Sequence, residues 1–179
     1  VKVTNTEKLR VKTDNSKGGF MKRLQVIVLV FVISLVLAVA GSYASNEVLS
    51  KAAAEKWWQV SADDVLAMIN SKKTDFLVVD VRPDPNMYKA GHIPGAIHIP
   101  VQDILKPDNL KKLPKDKKII LVCVTGQTQN LPIVTLRAMG YNALTMKFGM
   151  AAWDKNSVGV KFMKEALQGA ETKNYPLQK

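Results

Sequence analysis

Apolar and polar positions alternate in blocks along the second half of the chain. Phe76–Val81, Ala96–Ile99, Lys118-Ile119-Ile120-Leu121-Val122 and Ala143–Lys147 are short runs without helical spacing, and each reads as a strand. Between them lie helical patterns: about Ser61 to Ser71, a short helix near Asn86–Ala90, and helical pieces over Val101–Leu113. A helix from Gln129 to Met139 follows the third strand, with Leu131, Val134, Leu136 and Met139 as its apolar positions and Gly140 as its C-terminal cap. A turn of helix at Met150–Lys155 comes last. Strands alternating with helices predict an α/β fold, a central, mostly parallel sheet with helices on both faces. Two flanks are also predicted helical. One is Asn46–Gln59, with Trp57 and Trp58 near its end; the other is Val160–Gly169, with Phe162, Met163 and Leu167 on one side. Glu171–Lys179 reads as a frayed end.

The N-terminal part follows a different pattern. Met21-Lys22-Arg23 precedes an apolar run from Val26 to Ala40 broken by Ser34, and Ser42-Tyr43-Ala44 offers small residues at the two cleavage-specifying positions. A basic start, an apolar stretch and a small-x-small site together predict a secretory signal; uncleaved, the segment is a membrane anchor close to the minimal span. Residues 1–20 are polar and aperiodic, which predicts an over-extended start ahead of Met21 or a disordered tail. The predicted organisation is 1–20, signal or anchor 21–44, N-terminal helix 45–60, main domain 61–156, and C-terminal helix and tail 157–179. This places the domain outside the cytoplasm, periplasmic or on the outer face of the membrane.

The candidate chemistry sits where the third strand ends. Cys123, the single cysteine of the chain, opens the loop Cys123-Val124-Thr125-Gly126-Gln127-Thr128 between that strand and the Gln129 helix. Free cysteines are commonly inert core residues. At this junction, however, backbone N–H groups without a partner face the loop and would stabilise a thiolate. Gly126 supplies the positive φ that a tight loop around one sulfur needs.

Other segments carry a resemblance. Phe76-Leu77-Val78-Val79-Asp80-Val81-Arg82 is followed by Tyr88-Lys89-Ala90-Gly91-His92-Ile93-Pro94-Gly95-Ala96-Ile97-His98-Ile99-Pro100, then by the cysteine loop, then by Phe148-Gly149-Met150-Ala151-Ala152-Trp153. In this order and spacing, over roughly Ser61 to Asn156, the chain resembles the rhodanese-like domain family. Its strand ending in Asp-Val-Arg and its Gly-His-Ile-Pro-Gly-Ala turn are matched in turn, and the last segment is similar to its closing Gly-Gly-x-x-x-Trp. The resemblance implies a sulfurtransferase. Cys123 is then the nucleophile that takes a sulfane sulfur as a persulfide, with Val124, Thr125, Gly126, Gln127 and Thr128 as its substrate-binding cradle. Asp80 and Arg82 are implied as supporting residues, with no cofactor beyond the covalent persulfide. The implied partners are a small sulfur donor, thiosulfate or polysulfide, and a thiol or other nucleophilic acceptor. The rival reading is a non-catalytic module that binds sulfide, polysulfide or a partner protein.

Departures from the family pattern shape this expectation. Val124 stands where many active members carry Arg, and Thr128 stands at the sixth loop position, often Arg or Thr. A guanidinium that would clamp an oxyanion is therefore missing after the cysteine, which favours a less charged donor than thiosulfate. The segment between Asp80 and Gly91 is one residue longer than usual and holds Pro83 and Pro85. Related phosphatases carry an Arg where this chain has Gln129, which argues against phosphoryl chemistry.

Charge changes the picture little. The chain has a formal net charge of +11, and residues 1–44 hold seven Lys/Arg against two Asp/Glu. Lys106, Lys111, Lys112, Lys115, Lys117 and Lys118 cluster on one connection, a solvated loop or a patch steering anionic donors or an acidic partner. No aromatic interleaving suggests nucleic-acid binding. His92 and His98 without further ligand types argue against a metal site. One cysteine permits no intramolecular disulfide and no resolving thiol within this chain.

Overall fold

Five strands pair in parallel in the order β1-β5-β4-β2-β3: β1 (Gln59–Val60), β2 (Phe76–Asp80), β3 (Ile97–His98), β4 (Lys118–Val122) and β5 (Asn142–Met146). The computed structural model describes residues 15–173 and 175–178, with 15–20 and 37–46 described by backbone alone. The chain divides into two compact units, 1–49 and 50–179. Helix α1 (Asn15–Ala54) accounts for the described part of the first. Its residues from Met21 to Val36 are exposed all round, including the apolar run from Val26. Among the described residues no helix is long and apolar enough to cross a membrane. The expectations for residues 1–14 and for the side chains of the Ser42–Ala44 site lie outside the described residues.

In the second unit the helices are α2 (Ala62–Asn70), α3 (Pro85–Ala90), α4 (Pro107–Leu110), α5 (Ile133–Ala138), α6 (Met150–Trp153) and α7 (Val158–Thr172). Parallel strands need crossovers, and α2 to α5 supply them. Helix α2 starts at a capping box: Asp64 N–H donates to the Ser61 hydroxyl, and Ser61 N–H donates back to the Asp64 carboxylate, each at 3.0 Å. The Ser61 hydroxyl and N–H hold the Asp64 carboxyl below its ordinary value of 3.8. The sign is that of a depressed acid, so this contribution is present above about pH 4 and is lost as pH falls through the lowered value.

Ile119, Ile120 and Leu121 are all fully buried on β4, and Val122 nearly so. Successive strand residues face opposite ways, so both faces of the sheet are covered. Ile120 and Val122 join Val65 and Met68 of α2, Val78, Ile93, Met146 and Met150 in one cluster.

The structure departs from the sequence reading at three elements. The expected Asn46–Gln59 helix stops at Ala54, because Lys56, Trp57 and Trp58 take positive φ in a 3-10 turn that feeds β1. Trp58 is buried and Trp57 is exposed. The expected Gln129–Met139 helix is divided into a 3-10 turn, Thr128–Asn130, and α5 after Pro132. Its buried residues are Gln129, Pro132, Ile133 and Leu136, while Leu131, Val134 and Met139 are exposed. Gly140 closes it with φ +80°, its N–H on Arg137 C=O and the Tyr141 N–H on Leu136 C=O. Helix α7 runs longer at both ends, and it leaves Phe162 and Leu167 exposed while burying Gly159.

Candidate active site

Strand order decides where a site can form. From β2 the chain moves to β3 on one side, and from β4 it moves to β5 on the other. The carboxyl ends of β2 and β4 therefore flank a topological switch point, the usual ligand crevice of an open parallel sheet. Asp80 ends β2, and Cys123 follows the last residue of β4; Asp80 pairs in register with Val122.

Asp80 and Arg82 form a buried pair there. Arg82 Nε lies 3.0 Å from both Asp80 carboxylate oxygens and Nη2 lies 2.6 Å from Oδ2. Arg82 also donates to Gly91 C=O at 2.7 Å, and its own N–H donates to Asp80 Oδ1. The pair thus ties the end of β2 to the turn before β3. His98 Nε2–H donates to Arg82 C=O at 2.8 Å, and His92 Nδ1–H to Tyr88 C=O at 2.9 Å. Both imidazoles stack on the Tyr88 ring, with centroids 3.9 and 5.0 Å away.

The cysteine loop is held from three sides. Cys123 is 1% exposed and its N–H donates to Gln129 Oε1 at 2.8 Å; Gln129 Nε2 in turn donates to Met146 C=O at 2.5 Å. Met150 N–H donates to Cys123 C=O at 2.8 Å and Ala151 N–H to Val124 C=O at 3.0 Å, so the first amides of α6 hold the loop's own carbonyls. Asn130 Nδ2 donates to Gly126 C=O at 2.7 Å. Among the described residues, none of the N–H groups of Val124, Thr125, Gly126, Gln127 and Thr128 donates to a protein acceptor. Five consecutive N–H groups without a protein acceptor are thus left available to a ligand. They lie in the loop and at the first residue of the 3-10 turn, not at the start of α5, which begins after Pro132.

Glycines interlock this arrangement. Gly126 has φ +87°, and a Cβ there would come within 2.8 Å of the Phe148 backbone. A Cβ on Gly149 would lie 2.3 Å from Cys123 O, and one on Gly159 would lie 2.4 Å from Val124 O. Phe148 takes φ +61°, a conformation that costs an L-residue on the order of 1–2 kcal/mol.

The residues at this site fall within a family match. The rhodanese-like domain model matches residues 61–156. The chain belongs to the rhodanese-like domain family. Within this rhodanese-like domain, Phe148 occupies the first glycine position of the closing Gly-Gly-x-x-x-Trp pattern. The putative sulfurtransferase YtwF of Bacillus subtilis is 31% identical over 80 residues, covering 45% of this chain and 75% of that protein. The thiosulfate sulfurtransferase GlpE of Pseudoalteromonas translucida is 34% identical over 83 residues, 46% of this chain and 76% of that one. A tRNA sulfurtransferase of Desulfurococcus amylolyticus is 31% identical over 68% of this chain, but the match spans 23% of that longer protein. The BH2092 protein of Bacillus halodurans superposes with a TM-score of 0.51 at 28% identity, over 62% of this chain and 80% of that one. The rhodanese-like domain is thus of the kind found in sulfurtransferases.

Sequence reasoning missed Gln129 as a structural part of this rhodanese-like site, since a glutamine after a loop reads as solvent-facing. Replacing it in Gln129→Leu leaves the Cys123 N–H buried without a partner and takes one of two donors from the Met146 C=O, which keeps the Gly149 N–H. The expected loss is about 2 kcal/mol of stability, measured by urea unfolding. An unchanged unfolding midpoint would show that the carboxamide bridge is dispensable.

Proposed function

We propose that the protein is an extracytoplasmic sulfurtransferase in which Cys123 carries sulfane sulfur as a persulfide. The observation that carries this reading is the buried Cys123 at the switch point, heading a loop with five unclaimed N–H donors. The Cys123 thiolate attacks the outer sulfur of thiosulfate or a polysulfide. The donor S–S bond breaks, its electron pair leaves with sulfite or the shortened polysulfide, and Cys123 gains one sulfur. An acceptor thiolate then takes that sulfur and returns the Cys123 thiolate, in two covalent steps. The loop amides of Val124 to Thr128 stabilise the persulfide anion, while Asp80 and Arg82 hold the neighbouring strand end in place. No cofactor is needed. The acceptor thiol lies outside these residues, which hold one cysteine.

Donor preference follows from charge. No side chain from Val124 to Thr128 is cationic, which disfavours a doubly charged donor relative to a less charged one. Lys118 of the lysine cluster does not compensate: it begins β4, and at ~3.3 Å per residue its backbone is roughly 16 Å from Cys123, about two Debye lengths. The test is an intact mass of the protein after exposure to thiosulfate and, separately, to polysulfide. A gain of one sulfur atom supports the carrier. No adduct with either donor would favour the rival reading, a binding module without turnover, which draws on the burial of Cys123.

Export rests on the first unit. Lys22 and Arg23 precede an exposed apolar stretch on α1, a surface that needs a non-aqueous environment or a targeting receptor. Cell fractionation with N-terminal sequencing tests it, and an unprocessed protein confined to the cytosol would sink the localisation.

A further inference from the structure

Phe148 does something that core packing does not explain. It follows β5 with φ +61° and is 59% exposed, so the ring of this bulky residue fills no interior space. Its backbone is pinned on both sides: Lys147 N–H donates to Val60 C=O at 2.9 Å, and Gly149 N–H donates to Met146 C=O at 3.1 Å. Its N and Cα lie against Gly126, at the centre of the cysteine loop. Asn130, which donates to Gly126 C=O, is followed by Leu131, which is 74% exposed. Val124 is half-buried, and the loop contributes no charged side chain. A rare backbone conformation kept at a functional loop points to a role there.

We propose that Phe148 is the specificity-determining residue of the Cys123 loop, an apolar wall that selects an organic persulfide with an apolar body over a small oxyanion such as thiosulfate. This rests on the sulfur-transfer reading above and names its donor class. The Cys123 thiolate attacks the terminal sulfur of R–S–SH. The S–S bond of the donor breaks, its electron pair leaves on R–S⁻, and the S–H sulfur stays on Cys123 as the persulfide. No oxidant or reductant is consumed. Phe148 contacts R while the loop amides hold the charged sulfur.

The experiment measures the rate of sulfur gain on Cys123 in the full chain by intact mass, with benzyl persulfide and with thiosulfate. Phe148→Gly removes the ring and also relieves the backbone, so the fold is retained. Expected is a loss of about tenfold with benzyl persulfide and a change within about twofold with thiosulfate. Phe148→Tyr keeps the ring and should keep the preference. An equal loss with both donors, or none with benzyl persulfide, overturns the role of Phe148 and leaves sulfur transfer standing. A wild-type protein that gains sulfur from neither donor overturns both.

Discussion

Cys123→Ser is expected to abolish sulfur transfer, with activity falling by roughly 10³-fold or more and no gain of sulfur mass from any donor. A hydroxyl is nearly the same size as the thiol, and the buried position tolerates it without a new cavity. The loop is held through the Cys123 N–H and C=O, which serine retains. Stability should therefore change little while the chemistry disappears, because a hydroxyl forms no persulfide. The chain offers no second cysteine to take over. Thermal unfolding recorded beside the intact mass separates loss of chemistry from loss of fold. Sulfur gain that persists in Cys123→Ser would mean that the carrier lies elsewhere and would end the proposed mechanism.

Gly149→Ala should be the most damaging conservative change to the fold, lowering stability by about 4 kcal/mol. The added Cβ would meet Cys123 O at 2.3 Å, Gly126 N at 2.8 Å and Cys123 C at 2.9 Å, all backbone atoms that cannot swing aside. Gly149 also sits at φ +54° and ψ −144°, where an L-residue is strained even in open space. Either the loop shifts, which misplaces Cys123, or the turn after β5 opens. Gly91→Ala is the matching control. Its φ of 168° is extended, and a Cβ there meets nothing within 4 Å, so stability should stay within about 0.5 kcal/mol. Guanidinium unfolding of both variants checks the contrast. A Gly149→Ala protein as stable as Gly91→Ala would show that the close approach is not structurally required.

Much of this arrangement was legible along the chain because its causes are local. Four strand runs announced themselves as continuous β-rich apolar segments, and the helical pattern from about Ser61 located α2. Gly126 was readable as a positive-φ residue because a tight loop needs one. What was not legible depends on partners distant in sequence. Strand β1 is a two-residue edge whose pairing with Thr145 and Met146 leaves no alternation to read. Gln129 is buried only because Cys123 N–H and Met146 C=O converge on it. The apolar face of α5 was misjudged because Pro132 resets the helix start, moving the inward positions to Ile133 and Leu136. Phe148 and Gly149 sit in a turn whose meaning comes from the loop they touch.

The supports around Cys123 also set an order of events during biogenesis. Gln129, Gly149, Met150, Ala151 and Gly159, which fix or crowd the Cys123 and Val124 backbone, all come later in the chain. A ribosome or an export channel delivers the chain from its N-terminus, so the thiol emerges well before the segments that enclose it. Until residues through Gly159 have followed, the loop around the sulfur lacks the contacts that hold it in the finished domain. The geometry of the Cys123 loop is therefore completed only once the last third of the chain has been delivered.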